Sequence, residues 1–348
     1  MTSILKILSV IIPAYQAQRF LDTCIPSLLH PQVMDQLDII VVNDGSSDAT
    51  GEIAEGYRAK YPGIVRVIHQ ENRGHGGALN TGCAAAVGKY LKVLDADDWV
   101  LTENLPQFID FLTRCDSDVV LTHHHTLDIT TGQRRAWRCF PEEFGKPYTL
   151  GQILERWRDF ERSTTFHGIT YRTAFYHKFA ISLSEHVFYE DHEYATFPCC
   201  HAATVTPVDL FLYQYRVGDV EQSVSDANQC KRIGHTETVL RRFLSEYRAA
   251  DTLSEDGKAY IAMKAQGLLM SYLTTALLVM PDRRAGRQLA GTMLATVARE
   301  LPHVRNRVDK KYRIFLAMNR LHISRQTFEK VLNSRLYQKL TKKQSFDA

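Results

Sequence analysis

The sequence predicts an α/β domain built on a doubly wound, mostly parallel sheet, followed by a mainly helical C-terminal region. Four short runs rich in Ile, Val and Leu occur in the first hundred residues, with room for a helix between successive runs. Such near-continuous apolar runs are typical of parallel strands that are covered on both faces. Polar residues follow each run, at the carboxyl edge of the sheet, where folds of this class bind ligands.

The four runs predict strands at Ile7–Ile12, Asp38–Val42, Ile64–His69 and Tyr90–Leu94. Between the first two, residues 19–29 carry an apolar face and predict a helix that Pro26 kinks or shortens. Asp48 is a candidate N-cap for a second helix that reaches about Tyr61. A third helix is expected to follow Gly76 and Gly77, with the glycines as a turn that lets it approach the sheet closely.

The composition is that of an ordinary soluble protein of two or three lobes, with 348 residues, a formal charge of +3 and 45% hydrophobic residues. Its seven cysteines include no C-x-x-C pair, which argues against a disulfide framework or a zinc site and favours a reducing compartment.

The first apolar run ends at Pro13 without a signal-peptide cleavage site, so it predicts a first strand and not a signal peptide. The stretch Ala265–Met280 is interrupted by polar residues and is short for a membrane span.

Charge is unevenly distributed along the chain. Residues 281–348 carry sixteen Lys or Arg against five Asp or Glu, whereas residues 1–280 carry 26 against 34. Residues 324–340 place apolar side chains at helical spacing among Arg and Lys, which is typical of a basic amphipathic helix. Such a helix either lies on an anionic membrane surface or packs on the preceding helices. No nucleic-acid-binding motif accompanies these residues, so we expect no nucleic-acid partner.

Acidic side chains follow the second and fourth predicted strands. Of Asp95 and Asp97, one can accept hydrogen bonds from ribose hydroxyls while the other binds Mg²⁺ or Mn²⁺, which prefer carboxylate oxygens and substrate phosphates. A cation there would neutralise a departing diphosphate. Asp44 either receives the imino proton of a uracil base or is a turn residue beside Gly45. Neither the dinucleotide-binding G-x-G-x-x-G motif nor a P-loop is present.

The ordered set of segments at the strand ends resembles family 2 of the glycosyltransferases. These segments are Val10–Tyr15, Val42–Asp48, Glu71–Gly74 with Ala78–Gly82, and Leu94–Asp98, and they lie between residue 7 and about residue 100. The resemblance implies the GT-A fold, a nucleotide-sugar donor that is usually UDP-linked, a divalent metal (Mn or Mg), and inversion at the anomeric carbon. Asn43 stands where many relatives carry Asp, but the aspartate at the base-binding position, Asp44, is retained.

The resemblance also implies roles for single residues. Asp191, in the pair Glu190-Asp191, is the expected general base, although acids also favour the N-terminus of a helix electrostatically. Asp97 is the expected metal ligand, and Asp98 either assists the metal through water or caps a turn. The expected nucleotide-sugar contacts are Pro13, Tyr15, Asp44, Asn72, Arg73, Asp95, Arg216, Gln222 and Ser223.

Two further groups of residues have more than one interpretation. Neighbouring strand residues face opposite sides, so at most His123 and His125 of the run His123–His125 can share a ligand, and ordinary polar histidines are favoured. His167, Trp137 and Trp157 either line an acceptor site or pack in the core.

The sequence therefore predicts an inverting, metal-dependent glycosyltransferase of the hexosyl- or N-acetylhexosaminyl-transferase class. The predicted donor is a UDP-sugar and the predicted acceptor a glycan or a lipid-linked molecule, as in bacterial surface polysaccharide assembly. We expect a cytoplasmic protein, which is peripheral at the inner face of the membrane if the basic helix lies on that surface and does not pack on the preceding helices. The alternatives are a sugar nucleotidyltransferase and a non-catalytic nucleotide-sugar-binding module. The expected parts are a nucleotide-sugar-binding half (1–125), an acceptor-side part of the catalytic domain (126–228) and a helical basic region (229–348).

Overall fold

The computed structural model describes residues 5–179, 181–218, 226–249 and 253–324. The chain forms two compact units, of which the first comprises Met1–Gln222 with Ala250–Ile261 and the second Ser223–Ala249 with Ala262–Ala348. The predicted boundaries at residues 125 and 228 fall inside a strand and a short helix, respectively.

Four parallel strands form the first half of the sheet in the first unit. They are β1 (Leu8–Ala14), β2 (Leu37–Asp44), β3 (Val65–Gln70) and β4 (Tyr90–Val93). β1 lies between β2 and β4, and β3 pairs with β2. Every residue of β1, β2 and β4 is buried, which explains why these runs are largely apolar without alternation. The predicted strands are confirmed, with ends that differ by at most two residues.

Three helices connect these strands: α1 (Leu21–Ser27), α2 (Thr50–Lys60) and α3 (Gly74–Ala84). α1 ends one residue after Pro26, as expected for a proline inside a helix. Ala49 occupies the N-cap position of α2, but the Asp48 carboxylate accepts a hydrogen bond from the backbone N–H of Thr50 at 3.0 Å.

α3 begins earlier than predicted and packs close to the sheet. Gly74 has a φ of +75°, which glycine adopts without strain, so the chain turns there and the following glycines form the first turn of the helix. A Cβ added at Gly82 would lie 2.4 Å from Cγ2 of Ile11 in β1. The close approach predicted for this helix is therefore present, but Gly82 provides it, because a Cβ at Gly76 or Gly77 would instead meet Ser184 or Arg73.

The second half of the sheet is mixed in direction. Its strands are β5 (Trp99–Val100), β6 (Val119–Asp128), β7 (Arg134–Trp137), β8 (Ile169–Arg172) and β9 (Val205–Val217). The sheet order is β3-β2-β1-β4-β8-β6-β9-β5, with β7 paired to β6. β6 and β9 are parallel, whereas β8 is antiparallel to both of its neighbours. The predicted α/β sheet is thus confirmed, and its parallel part is the half that the apolar runs predict.

Short helices complete the first unit: α4 (Leu105–Arg114), α5 (Leu150–Glu155), α6 (Trp157–Phe160), α7 (Thr173–Lys178) and α8 (Asp191–Tyr194). The described part of the second unit is helical, as predicted, with α9 (Asp226–Lys231), α10 (Ile233–Arg248), α12 (Arg283–Glu300) and α13 (Pro302–Arg320). Helix α11 (Glu255–Thr274) contributes residues to both units.

The amphipathic helix predicted at residues 324–340 lies outside the described residues, apart from Ser324. Among the helices that the structure does describe, none combines the length and hydropathy that a membrane-spanning segment needs.

Candidate active site

The carboxyl ends of β1, β2 and β4 bring the predicted polar residues to one edge of the sheet. In the strand register, Ala14 at the end of β1 lies opposite Asn43 near the end of β2. Asp95 follows β4, which lies on the other side of β1. The chain therefore emerges from three adjacent strands at the place where open α/β sheets bind ligands.

Asp44 is a buried carboxylate, only 2% exposed. One of its two oxygens accepts hydrogen bonds and the other does not. Its Oδ1 accepts hydrogen bonds from Nε2 of Gln70 at 2.6 Å and from the backbone N–H of Arg73 at 2.9 Å. Its Oδ2 is buried and has no hydrogen-bond partner among the described residues. Because a buried oxygen without a partner is costly, this arrangement suits a ligand that donates a hydrogen bond to Oδ2.

A cavity of about 350 Å³ lies at this edge, a volume suited to a small ligand. Its lining includes four of the predicted nucleotide-sugar contacts, namely Pro13, Tyr15, Asp44 and Asn72. Asn72 donates a hydrogen bond from Nδ2 to the backbone carbonyl of Asp44 at 2.9 Å. His75, His186 and Phe188 also line the cavity, and none of the three is among the predicted site residues.

Three carboxylates lie together after β4. One oxygen from each of Asp95, Asp97 and Asp98 falls within 4.8 Å of the others. Asp98 is buried and both of its oxygens are engaged, since Oδ2 accepts from the hydroxyl of Tyr213 at 2.5 Å and Oδ1 from the backbone N–H of Arg216 at 2.7 Å. Asp98 therefore ties the end of β4 to β9, and Asp95 and Asp97 are the partly exposed members of the cluster.

The electrostatics of this cluster suit a divalent cation. Burial and the charge of Asp95 raise the pKa of Asp97 to about 6. Burial, with the charges of Asp97 and Asp95, raises the pKa of Asp98 well above its ordinary value. A cation would relieve the repulsion between these carboxylates, and a donor set made only of oxygen atoms fits Mg²⁺ or Mn²⁺.

His75 connects the carboxylate cluster to the segment that contains Asp191. Its Nε2 lies 2.9 Å from Oδ1 of Asp95, and its Nδ1 lies 2.5 Å from Oε1 of Glu190. Burial disfavours the charged ring, but the carboxylates of Asp95 and Glu190 together raise the pKa of His75 well above its ordinary value. No local pattern in the sequence indicates this contact, because Glu190 is 115 residues away.

Asp191 is the first residue of α8 and is partly buried. Its side chain has no hydrogen-bond partner in the described part of the chain, whereas Glu190 contacts His75 and Glu193 accepts hydrogen bonds from Ser184. Burial and the carboxylates of the cluster, together with Asp191, raise the pKa of Tyr215. Asp191 and the cluster therefore lie within electrostatic range of the same tyrosine hydroxyl.

Four of the remaining predicted contacts have other partners or are not described. The guanidinium of Arg73 pairs with Glu185, and Nε of Arg73 donates a hydrogen bond to Oε2 of Glu185 at 2.9 Å. The guanidinium of Arg216 lies 4.9 Å from the centre of the Phe20 ring. Gln222 and Ser223 lie outside the described residues. The roles assigned to these four residues, like those of the other predicted site residues, stay predictions.

The histidines of β6 have separate partners. Nε2 of His123 lies 3.1 Å from Asp209, and Nδ1 of His125 accepts a hydrogen bond from Arg134 at 2.9 Å. Within the described residues, the aspartates after β4 are the group whose geometry could hold a metal ion. Of the aromatic residues with two interpretations, Trp157 packs edge-on against Tyr260, with ring centres 6.0 Å apart.

A half-parallel sheet with these acidic strand ends is the architecture of the GT-A glycosyltransferases. The same fold occurs in TarS of S. aureus, whose residues 1–349 were solved in complex with UDP-GlcNAc. The two structures superpose with a TM-score of 0.61 over 91% of this chain and 92% of that chain, at 20% sequence identity.

Residues 9–180 match glycosyl transferase family 2, and the chain therefore carries a family 2 glycosyltransferase domain. It is 40% identical to the uncharacterized glycosyltransferase EpsJ of Bacillus subtilis over 116 residues, which is 33% of each chain. It is 33% identical to the glycosyltransferase GlyG of Streptococcus pneumoniae over 128 residues, which is 36% of this chain and 42% of GlyG. The chain thus matches less than half the length of either relative.

Proposed function

We propose that the protein is an inverting, metal-dependent glycosyltransferase that moves a hexosyl or N-acetylhexosaminyl group from a UDP-sugar to a glycan or lipid-linked acceptor. The observation that carries this proposal is the buried, unpartnered Oδ2 of Asp44 beside a cavity, on the same sheet edge as the carboxylate cluster.

Asp44 binds the base of the donor. The N3–H group of uracil donates to Oδ2, while Gln70 and the backbone of Arg73 hold the carboxylate in place through Oδ1. Cytosine presents an acceptor at the same ring position, so a carboxylate there selects uracil. The presence of UDP-GlcNAc in TarS, which has the same fold, supports a donor of this kind.

Asp97 and Asp95 hold the metal and the ribose-diphosphate part of the donor. Asp97 would hold the metal directly, and Asp95, fixed by His75, would accept hydrogen bonds from the ribose. Asp98 keeps both residues in position through its bonds to β9 and takes no direct part. When bound, the metal supplies Lewis-acid neutralisation of the departing diphosphate.

Asp191 is the general base. In a single in-line displacement, the acceptor oxygen bonds to the anomeric carbon as the bond from that carbon to the UDP oxygen breaks, and Asp191 takes the proton of the acceptor hydroxyl. Attack opposite the leaving group inverts the anomeric configuration. The contact between His75 and Glu190 holds the preceding residue and so fixes the start of α8.

We further infer a cytoplasmic enzyme of glycan assembly that contacts the inner membrane face. Support comes from α13, which carries six Lys or Arg and one Asp. Flotation of the full chain with vesicles tests this part. Binding to vesicles that contain phosphatidylglycerol, and not to neutral ones, is expected, and equal binding to both would contradict it.

The Asp191→Asn variant tests the enzymatic proposal. UDP release from UDP-GlcNAc, with manganese and a pool of oligosaccharide acceptors, should fall by at least about 100-fold, while UDP affinity is retained. The neighbouring, exposed His192→Gln variant is the matched control and should keep its activity. Unchanged turnover of Asp191→Asn would reject Asp191 as the base. Pyrophosphate release from UTP and a sugar 1-phosphate would instead identify a nucleotidyltransferase.

A further inference from the structure

The edge of the sheet beside the proposed catalytic residues carries side chains that the mechanism above does not use. β7 pairs with β6, and β6 pairs with β9. The register places Arg135 of β7 opposite Thr126 of β6, and Thr126 opposite Tyr215 of β9. Because neighbouring strands lie about 4.8 Å apart, the backbone of Arg135 stands roughly 10 Å from that of Tyr215. The three residues therefore share one face of the sheet.

Four rings form a continuous ladder on this face. The ring centres of Trp137 and His124 lie 6.0 Å apart, with an angle of 8° between the ring planes. The ring centres of His124 and His167 lie 5.0 Å apart, with an angle of 29° between the planes. The ring centres of His167 and Tyr215 lie 4.3 Å apart, with an angle of 31° between the planes. The ladder thus leads from the tyrosine beside the catalytic carboxylates to the edge strand. Because the stacked rings cover one another's faces and His124 is only 4% exposed, a sugar can contact the ladder at its partly exposed members, Trp137, His167 and Tyr215.

Two arginines flank the outer end of the ladder. The guanidinium groups of Arg135 and Arg162 lie 4.2 Å and 5.8 Å from the centre of the Trp137 ring. Both side chains are exposed, and within the described residues neither forms an ion pair with a carboxylate. Guanidinium groups bind phosphate and carboxylate through paired hydrogen bonds, so two without acidic partners favour an anion at this place.

The histidine inside the ladder is neutral and incompletely satisfied. Burial and the nearby charge of Lys92 lower the pKa of His124 to about 3. Its Nδ1 is buried and has no hydrogen-bond partner among the described residues. The positive charge of this surface therefore belongs to the two arginines, and His124 contributes a polar atom within the row of rings.

We propose that the acceptor platform, defined as Trp137, His124, His167 and Tyr215 with Arg135 and Arg162, binds a saccharide acceptor that carries a phosphate or carboxylate group. The sugar that receives the transferred group lies at Tyr215, and the anionic group lies one or two sugars away at the arginines. This assignment rests on the proposed function, because it takes Asp191 as the base that the acceptor hydroxyl must reach.

The test measures binding of three probes with one backbone: maltotetraose, its 6-phosphorylated form and its 6-carboxylate form. In the presence of manganese and UDP, isothermal titration of the wild-type chain should show at least one anionic probe bound roughly tenfold or more tightly than the neutral probe. The phosphate and carboxylate arms distinguish the two sources of negative charge. Arg135→Ala with Arg162→Ala should remove this preference and leave the neutral probe unchanged.

Arg114→Ala is the matched control, because Arg114 is an exposed arginine of the same unit that pairs with Asp110. It should keep the full preference for the anionic probe. Trp137→Ala should weaken all three probes together, and Trp137→Phe should restore most of that loss, which separates lost stacking from misfolding.

Equal binding of neutral and anionic probes by the wild-type chain, or absence of binding, would overturn the proposal. So would a preference that survives the double arginine variant. If the two arginines were instead required for binding phosphatidylglycerol vesicles but not the charged saccharides, the surface would be a membrane contact. Neither arginine lines the cavity of the proposed UDP site, so an intact response to UDP would confine the failure to the acceptor proposal.

Discussion

Replacing Asp44 by Asn probes the proposed recognition of uracil with the smallest change of shape. Oδ1 of Asp44 already accepts two hydrogen bonds, from Gln70 and from the backbone of Arg73. An asparagine keeps its carbonyl oxygen toward these two donors, which turns its NH₂ group to the position of Oδ2. The group that faces the base then changes from a charged acceptor to a neutral donor.

The size of the effect follows from the one contact that is lost. A hydrogen bond to a charged group contributes about 1.5–3 kcal/mol, so UDP should bind roughly 10- to 150-fold more weakly to Asp44→Asn. Cytosine carries an acceptor where uracil carries N3–H, so CDP should gain a neutral hydrogen bond of about 0.5–1.5 kcal/mol. The preference between the two nucleotides should therefore narrow strongly or reverse.

Isothermal titration of UDP and CDP against both proteins, with manganese present, measures this preference. Asp110→Asn, an exposed aspartate in the same unit, serves as a control and should leave both affinities unchanged. If UDP bound to Asp44→Asn as tightly as to the wild type, the assignment of Oδ2 to the uracil base would be refuted.

Three further predictions concern stability, each measured by urea unfolding. Lys92 is buried, which lowers its pKa to about 7 from 10.5, so the unfolded chain binds the extra proton between these values and stability should rise with pH there. Relative to Lys92→Met, the wild type should gain about 2 kcal/mol from pH 7 to pH 9, and parallel curves would contradict this. Gly82→Ala places a Cβ against β1 and should lower the free energy of unfolding by about 1–3 kcal/mol. Gly56→Ala has open space around it and should instead stabilise α2. Equal effects of the two substitutions would show that α3 does not need the close approach. His75→Ala leaves the buried carboxylate of Glu190 without its partner and should cost about 3–5 kcal/mol, and a loss below about 1 kcal/mol would mean that this contact is not maintained.

The parallel half of the sheet was predictable because its signal is local. Each of its buried strands is a short apolar run, and the residues that follow β1, β2 and β4 meet at one edge whatever the remaining chain does. The family resemblance rests on the same segments. That Asp44 and Asp95 lie at the same edge of the sheet could therefore be predicted from the sequence.

The remaining features depend on pairings between distant residues. β6 and β9 pair across about 86 residues, and no periodicity in either strand specifies its partner. The roles of Asp98 and His75 were equally inaccessible, because they follow from Tyr213 and Glu190, which lie 115 residues further along the chain in each case. Long-range contacts of this kind convert a list of acidic residues into a site with distinct roles.

The affinity for UDP with manganese and with EDTA, in the wild type and in Asp97→Asn, tests the central claim most directly. Because Asp97 would hold the metal that neutralises the diphosphate, removing manganese should weaken UDP binding by at least about tenfold in the wild type and have little effect in the variant. Equal UDP affinity with manganese and with EDTA in the wild type would contradict a metal-dependent donor site at these carboxylates.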